Sequence, residues 1–125
     1  MKFRSGLPAI VILAMTTLLL TGGSVFAGYG SVAYDQDARK QGVSSDEATQ
    51  QDAERAAMKK CGSENCKLRF KIPVKMCAAF ATPENGPAWG GAVRKSIDAA
   101  KFAALKNCQK HANEKCAVRD SACNK

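Results

Sequence analysis

A stretch of nine residues occurs twice in this sequence and constrains its fold more than any other feature. Residues 53–61 (AERAAMKKC) and residues 100–108 (AKFAALKNC) share three alanines, a large apolar residue, a lysine and a cysteine in register. Two further cysteines follow each copy, so the six cysteines fall into two sets of three. An internal repeat of this kind predicts that the chain folds as two related halves of one domain.

The similarity between the halves extends to the segment before each copy. Residues 29–33 (YGSVA) align with residues 89–93 (WGGAV), and both have the pattern of a short strand. We therefore expect each half to run strand, helix, cysteine hinge and strand, over residues 28–81 and 88–125. On this alignment the first half carries about 13 extra residues, which are assigned to a loop over residues 35–43 and to the helix start. The predicted fold class is α+β, a small disulfide-stapled domain with helices packed on a mainly antiparallel sheet.

The first 27 residues have the three-part pattern of a secretory signal peptide. Lys2 and Arg4 provide the basic start, residues 7–20 are apolar, and residues 25–27 (VFA) end on a small residue. An uncleaved membrane anchor is the alternative, but the apolar run is shorter than the roughly 20 residues that a spanning helix requires. We therefore expect cleavage after Ala27, a periplasmic or secreted product, and no stable membrane insertion after cleavage.

The remaining 98 residues suffice for one small domain. They carry 17 Lys and Arg against 11 Asp and Glu, which gives a net charge of +6. Large aliphatic residues and Phe account for 12 of the 98 positions, a level that is typical of disordered chains. Six cysteines in an exported chain indicate instead that disulfides compensate for a small core.

The period of the apolar residues predicts the elements of the first half. Ser44 and Glu47 have the spacing of a capping box, which predicts a helix from there to Cys61, where a glycine follows and ends it. From Lys67 the period changes to two, which predicts a strand with apolar residues on one face and basic residues on the other. Pro73 cannot donate to a ladder, so this strand is expected to lie at a sheet edge or to be bulged at Pro73.

The second half is predicted in the same way. Residues 77–81 are expected to form a short strand, and residues 82–87 (TPENGP) have the composition of the turn that joins the halves. Ser96 is the expected cap of the second helix, which ends at Cys108. Residues 116–122 are expected to form the closing strand.

The six cysteines allow 15 pairings, and repeat symmetry favours one set. It places one local bridge in each half and one bridge between the halves, as Cys61–Cys66, Cys108–Cys116 and Cys77–Cys123. The alternatives are metal and redox chemistry. Because the sequence has no Cys-x-x-Cys and its one histidine is His111, zinc and thioredoxin-like sites are disfavoured, and we expect no metal and no cofactor.

The sequence also lacks the motifs of exported hydrolases. It contains no G-x-S-x-G, no H-E-x-x-H and no phosphate-binding glycine loop. His111 lies in a polar segment between two cysteines, where an exposed side chain is expected. A pair of carboxylates remains open, since such a pair can be distant in sequence, but the absence of any constellation leads us to expect no enzymatic activity.

The predicted strand that begins at Lys67 carries the strongest binding signal. Its basic phase predicts a cationic surface that would attract an acidic partner. The alternative is a solvated edge that lysines protect from aggregation. Nucleic acid is not expected as a partner, because the aromatic residues fall on the opposite phase and provide no stacking platform between the charges. The candidate partner-binding residues are Lys67, Arg69, Lys71 and Lys75.

The order of these motifs resembles the exported bacterial family called domain of unknown function 4189. The shared pattern is Tyr-Gly-small-Val-Ala, Ala-x-x-Ala-Ala-Met-x-x-Cys, a cysteine opening an alternating strand, then Trp-Gly and Ala-x-x-Ala-Ala-Leu-x-x-Cys, and it covers most of residues 29–123. The chain departs from the pattern in its lysine-rich strand and in the polar residues 118–120. The resemblance implies a compact exported α+β domain with disulfides and without an established enzymatic activity.

The resemblance also implies two kinds of function. Some relatives are periplasmic immunity partners of antibacterial effectors, and others are secreted proteins associated with virulence. We therefore expect a periplasmic protein that binds and neutralises an acidic protein partner, most plausibly as an immunity protein. The second expectation is a secreted or envelope protein that binds an anionic surface or a host component.

Overall fold

The computed structural model describes residues 28–125. The signal peptide expected over residues 1–27 lies outside this range. The described chain contains six strands and two helices. They are β1 (Tyr29–Asp35), β2 (Lys40–Glu47), α1 (Gln50–Cys61), β3 (Lys67–Ile72), β4 (Cys77–Pro83), β5 (Gly90–Arg94), α2 (Ile97–Gln109) and β6 (Cys116–Cys123).

The strands form two three-stranded antiparallel sheets with the same topology. The first sheet has the order β2-β1-β3 and the second the order β5-β4-β6. In each sheet the first strand is central, the second forms a hairpin with it, and the third returns to it after a helix. The molecule therefore consists of two ββαβ units, unit 1 and unit 2, and the predicted α+β fold class is confirmed.

The boundary between the halves differs from the prediction. β4 pairs with both β5 and β6, so it opens unit 2 instead of closing unit 1, and the units join near residues 73–76 rather than 82–87. The equivalent of β1 is therefore β4, and residues 89–93 correspond to β2. On this alignment Gly42 precedes Cys61 by 19 positions and Gly90 precedes Cys108 by 18. The roughly 13 extra residues of the first half are β1 and the turn after it, whose counterparts in unit 2 are β4 and the segment before β5.

The loop expected over residues 35–43 and the capping box at Ser44 were also wrong. β2 begins at Lys40 and pairs with β1, so the spacing of Ser44 and Glu47 lies within a strand. α1 instead begins after Thr49, whose side chain accepts a hydrogen bond from the backbone N–H of Asp52. The cross-strand ladder overrides the local capping signal, because each ladder residue gains backbone hydrogen bonds that a cap supplies only once.

The helix ends and the later elements follow the prediction. Gly62 ends α1 with φ of 71°, a left-handed conformation that glycine adopts without strain. Ser96 caps α2 by accepting from the N–H of Ala99, and β3 lies at a sheet edge as Pro73 indicated.

Small residues let each helix approach its sheet closely. Two alanines and a cysteine of each helix are buried, and each triad faces a glycine of the hairpin strand. A Cβ on Gly42 would lie 2.1 Å from the carbonyl oxygen of Ala57, and a Cβ on Gly90 would lie 2.1 Å from the backbone nitrogen of Cys108. The repeated alanine pattern of the sequence is therefore the packing surface between helix and sheet.

The two sheets face each other across a second core. The side chains between them include Val32 and Tyr34 of β1 together with Ala78 and Phe80 of β4. Phe70 and Trp89 pack against this cluster from the edge strands and the loop before β5. The layers therefore run α1, first sheet, second sheet and α2.

All three predicted disulfides are present. Cys61–Cys66 joins the end of α1 to β3, and Cys108–Cys116 joins the end of α2 to β6. Cys77–Cys123 joins β4 to β6, so it lies within unit 2 and does not link the halves as expected.

Candidate functional site

The four basic residues predicted as a binding face do not lie on one face. A bulge in β3 places Phe70 opposite Val32 but Leu68 opposite Ala33, which leaves Arg69 as the extra residue. One inserted residue reverses the faces of the residues beyond it. As a result Lys67, opposite Tyr34, and Lys71, opposite Ser31, project from opposite faces of the sheet.

Lys75 lies beyond the strand. It has φ of 60° in the turn that joins the units, where the N–H of Met76 donates to the carbonyl of Pro73. The alternating pattern therefore predicts the strand but not the directions of its charged side chains. A period of two residues does not show where a bulge inserts an extra residue. The role of these four residues in binding remains a prediction.

Arg69 instead turns toward the second sheet. Its Nη2 donates to the carbonyl oxygen of Tyr34 at 3.3 Å, and its guanidinium carbon lies 5.5 Å from the centroid of the Trp89 ring. A guanidinium over an indole face is attracted by the negative charge of the ring face. Arg69 is thus a partly buried residue of the space between the sheets and not an outward surface charge.

Arg119 occupies the equivalent position in unit 2. β6 has a bulge between the partners of Phe80 and Ala81, and Arg119 is its extra residue. Its Nε donates to Oγ1 of Thr82 at 3.1 Å and its Nη2 donates to the Thr82 carbonyl at 3.2 Å. Each bulge arginine therefore binds the central strand of its own sheet.

A third arginine reaches the same end of the molecule from the β1–β2 turn. Arg39 donates through Nη1 to the carbonyl of Gly86 and through Nη2 to the carbonyl of Pro83. Pro83 follows Thr82 directly, so Arg39 and Arg119 bind consecutive carbonyls at the end of β4. We call Arg39, Arg69 and Arg119 the arginine cluster.

The Tyr34 side chain lies next to this cluster. It is fully buried, and its ring centroid is 4.8 Å from that of Phe80. Burial raises the pKa of the Tyr34 hydroxyl, while the positive charges of Arg39, Arg69 and Arg119 oppose that shift. The negative charge of Asp35 acts in the same direction as burial.

The arginine cluster has no carboxylate partner within the part of the chain that the structure describes. Across residues 28–125 the one ion pair is Arg55 with Asp52, on the surface of α1. Asp35 lies near the cluster, but it accepts hydrogen bonds from the hydroxyl of Ser63 and from the N–H groups of Ala38 and Asp37. These hydrogen bonds, above all the one from Ser63, lower the pKa of Asp35. The negative charge of Asp35 is therefore stabilised by its own turn and by Ser63.

An open hollow of about 510 Å³ lies beside the cluster. Trp89 lines it, and so does Gln36, whose side-chain amide donates to the carbonyl of Pro87. His111, which was expected to be exposed, is exposed and also lines the hollow. We call this feature the Trp89 hollow, and its walls also include Pro87, Ala88 and Asn107.

Sequence reasoning missed most of this site. It identified Arg69 but assigned it to the wrong face, and it did not identify Tyr34, Arg39, Arg119 or Trp89. One signal was present, because the second cysteine of each local disulfide begins the same motif, Cys-Lys-Leu-Arg in unit 1 and Cys-Ala-Val-Arg in unit 2. That repeat places an arginine at the same position of each bulge.

Residues 28–125 show no sign of a metal site or of a membrane-spanning helix. No three His, Cys, Asp or Glu side chains in that range are grouped so that they could hold a metal ion. Neither α1 nor α2 is long and apolar enough to cross a membrane. What the described chain offers is a cationic, partly aromatic surface at one end of the two sheets.

The fold and this surface define a small α+β domain stapled by disulfides, a combination that is consistent with a protein outside the reducing cytoplasm. The chain belongs to the family described as domain of unknown function (DUF4189), whose model matches residues 29–123. No curated protein and no solved structure matches the chain.

Proposed function

We propose that this protein is an exported, non-enzymatic binding protein that neutralises an acidic protein partner, most specifically as the periplasmic immunity protein of an antibacterial effector. The observation that carries the proposal is the arginine cluster, in which no guanidinium is paired with a carboxylate of residues 28–125. Arginines held in this state are suited to donate hydrogen bonds to carboxylates of another molecule.

The hydrogen bonds of the cluster favour binding because they fix the guanidinium groups in advance. Arg39, Arg69 and Arg119 each donate to a backbone carbonyl of a β-strand or of the following turn. An arginine offers five N–H donors, so these contacts leave others for a partner. A side chain that is already ordered loses less conformational entropy on binding.

The overall charge favours the same partner. The chain that follows Ala27 carries a net charge of +6. A positive protein attracts an acidic partner during diffusion and increases the association rate, most strongly at low salt. The Trp89 hollow adds an aromatic wall beside the charges, and aromatic and arginine side chains are the residues that most often dominate binding energies.

One observation favours the second candidate function, binding of an anionic surface. Lys67 and Lys71 project from opposite faces of β3 and Lys75 from the turn after it, so these lysines surround an edge rather than form a shaped site. A diffuse cationic edge suits an extended anionic surface, which requires charge but little geometry. The two functions therefore depend on different residues of the same chain.

The experiment exploits that difference. The protein encoded beside this chain's gene is directed to the periplasm, alone and together with this chain, and growth is recorded. We expect growth arrest by the neighbour alone and rescue by the wild-type chain. The double variant Arg69→Gln/Arg119→Gln should lose the rescue, whereas Lys71→Gln/Lys75→Gln, with the same change in charge, should retain it.

Melting curves of both double variants provide the folding control. A neighbour that does not arrest growth would contradict the immunity function. Equal rescue by the two folded double variants would contradict the arginine cluster as its site. Loss of rescue in the lysine variant alone would indicate that the binding site is the edge of β3 instead.

A further inference from the structure

The outer face of α2 exposes an aromatic side chain. Phe102 has 65% of its surface exposed, the largest fraction among the exposed large apolar residues of the described chain. It lies two residues from both Ala100 and Ala104, which are buried against the sheet. Since each residue turns an α-helix by about 100°, the Phe102 ring projects away from the sheet.

Unit 1 shows that the fold does not require an apolar residue at this position. Arg55 of α1 corresponds to Phe102 in the repeat, and its exposed guanidinium lies 3.5 Å from the carboxylate of Asp52. Both helices pack on their sheets through the same triad of two alanines and a cysteine. The exposed ring of Phe102 is therefore not needed for the packing of α2 and is available for binding.

The charge around Phe102 distinguishes it from an ordinary exposed apolar residue, which is common on protein surfaces. Residues 94–110 contain five basic residues and one acidic residue, a net charge of +4 out of the +6 carried by residues 28–125. The equivalent residues 47–63 contain three of each and are neutral. Most of the excess positive charge of the domain therefore lies on and beside α2. The basic residues are Arg94, Lys95, Lys101, Lys106 and Lys110.

One of these charges lies against the ring. Lys106 is one turn after Phe102 on the same face of α2, and its Nζ is 5.3 Å from the centroid of the Phe102 ring. Lys95 and Lys110 are exposed at the two ends of the helix. We call Lys95, Phe102, Lys106 and Lys110 the α2 surface. It combines an apolar centre with positive charges along and beyond the helix.

We propose that the α2 surface binds the headgroups of anionic phospholipids, with the Phe102 ring inserted at the boundary between headgroups and acyl chains. A bilayer surface requires positive charge and an exposed apolar side chain but no shaped pocket, and a basic helix face with an aromatic residue meets that requirement. Flexible lysine side chains suit mobile phosphate groups, whereas Arg69 and Arg119 are held by backbone carbonyls. The protein lies on the membrane in this state and does not cross it.

This inference does not depend on the proposed function. Neither Phe102 nor Lys106 lines the Trp89 hollow, and α2 forms the outer layer beside the second sheet. A molecule attached through α2 therefore keeps its arginine cluster for an acidic partner. One aromatic ring and a few basic residues support reversible attachment, since stable anchoring takes stronger signals.

The test uses the chain over residues 28–125, which contains every strand, helix and disulfide of the structure. It is mixed with vesicles of phosphatidylglycerol and phosphatidylcholine in equal parts and, separately, with vesicles of phosphatidylcholine alone, and cosedimentation measures the bound fraction. We expect binding to the anionic vesicles alone. That binding should weaken about tenfold between about 0.05 M and about 0.3 M sodium chloride, because salt screens the attraction.

Matched variants separate the α2 surface from general charge and hydrophobicity. Phe102→Ala should reduce the partition constant for anionic vesicles about tenfold, whereas Leu68→Ala, at an exposed apolar residue of β3, should leave it unchanged. Lys106→Gln should reduce the constant about fivefold. Lys59→Gln, at the equivalent position of α1, should change it less than about twofold. Melting curves verify that all four variants are folded.

The outcomes distinguish this inference from the proposed function. No binding to anionic vesicles at low salt, or equal losses in the α2 variants and their controls, would overturn the lipid site even if an acidic partner is found. Partner binding that Phe102→Ala weakens, without any vesicle binding, would show that the α2 surface docks a protein instead. Vesicle binding that depends on Phe102 and Lys106 supports the lipid site even if no neighbouring effector exists.

Discussion

Unit 1 and unit 2 share the way each helix meets its sheet. Ala33 pairs with Gly42 in unit 1, and Ala81 pairs with Gly90 in unit 2. Both glycines lie against backbone atoms of the helix, where no larger residue fits. The shared residues are therefore those that a close helix–sheet contact requires.

The units differ in the side chains that pair next to these positions. Ser31 and Ser44 are opposite each other in unit 1, where unit 2 has Ala79 and Ala92. The Ser44 hydroxyl donates to the carbonyl of Ala53 in α1 and accepts from the N–H of Ser31. Unit 1 thus secures its helix with a buried hydroxyl that unit 2 lacks.

The faces between the sheets differ more. Val43 of unit 1 corresponds to Gly91 of unit 2, where a Cβ would lie 2.3 Å from the Phe70 ring. Tyr34 corresponds to Thr82, and together with the bulge arginines these residues build the candidate site. The repeat therefore preserves the helix–sheet contacts and the bulge arginines, whereas residues beside those arginines have diverged.

The third disulfide gives the largest expected difference between the units. Cys77–Cys123 closes a separation of 46 residues, and unit 1 has no counterpart. Replacing both cysteines by Ala should reduce the free energy of unfolding by about 4 kcal/mol, because the unfolded chain regains that loop entropy. Removing Cys61–Cys66 or Cys108–Cys116, with separations of 5 and 8, should cost about 2 to 3 kcal/mol each.

Denaturant unfolding of the three oxidised variants measures these values. If removing Cys77–Cys123 reduced the free energy of unfolding by less than removing either local pair, the idea that unit 2 depends on this disulfide would be contradicted.

Substitution of the helix-facing glycine should destabilise the protein by a similar amount in either unit. Gly42→Ala and Gly90→Ala each place a Cβ against helix backbone, so each should destabilise by about 3 kcal/mol, toward the upper end of the usual cost of overpacking. Gly86→Ala is the control, since a Cβ there meets nothing within 4 Å and only its φ of 89° is unfavourable. A large loss at one glycine alone, seen in urea unfolding, would mean that the two contacts are not equivalent.

The buried hydroxyl of unit 1 should have an intermediate effect. Ser44→Ala removes the acceptor of the Ser31 N–H and the donor to Ala53, and it should cost about 2 kcal/mol. The neighbouring Ser45→Ala, on the other phase of β2, should change stability by less than about 0.5 kcal/mol. Equal melting temperatures for the two variants would show that this hydroxyl does not distinguish unit 1 from unit 2.

The smallest expected effect concerns Asp35, whose place at the end of its central strand corresponds to Pro83 in unit 2. Its hydrogen bonds lower its pKa, so the ionised form stabilises the fold above the unfolded pKa of about 4, and the stabilisation disappears as the pH falls through the lower folded value. Asp35→Asn should therefore melt below wild type at pH 7, with a difference that shrinks below about pH 4. A difference that stays constant down to pH 2 would exclude this role of the charge.

The sequence predicts much of the fold because local signals determine much of it. The Ala-x-x-Ala-Ala repeat, the helix end at Gly62 and the cap at Ser96 each act within a few residues, and the structure contains all of them. The two local cysteine pairs follow from the same symmetry. The strand β2 was missed because the roles of Gly42 and Ser44 depend on contacts with residues across the hairpin and in α1, which the local sequence does not show.

The candidate site was less predictable for a related reason. Bulges in β3 and β6 turn Arg69 and Arg119 toward the space between the sheets, and an alternating pattern contains no sign of an extra residue. Tyr34 and Trp89 read as strand residues and become part of the site only when the sheets face each other. The residue pattern of a single strand does not show which side chains come together when two sheets pack face to face.

Hydrogen exchange of the protein, free and bound to its proposed acidic partner, tests most directly whether binding occurs at the arginine cluster. The account predicts slower exchange on binding over residues 36–39, 67–69, 82–89 and 117–119, which surround the arginine cluster and the Trp89 hollow. Slower exchange confined to residues 71–75, or to α2 alone, would contradict it.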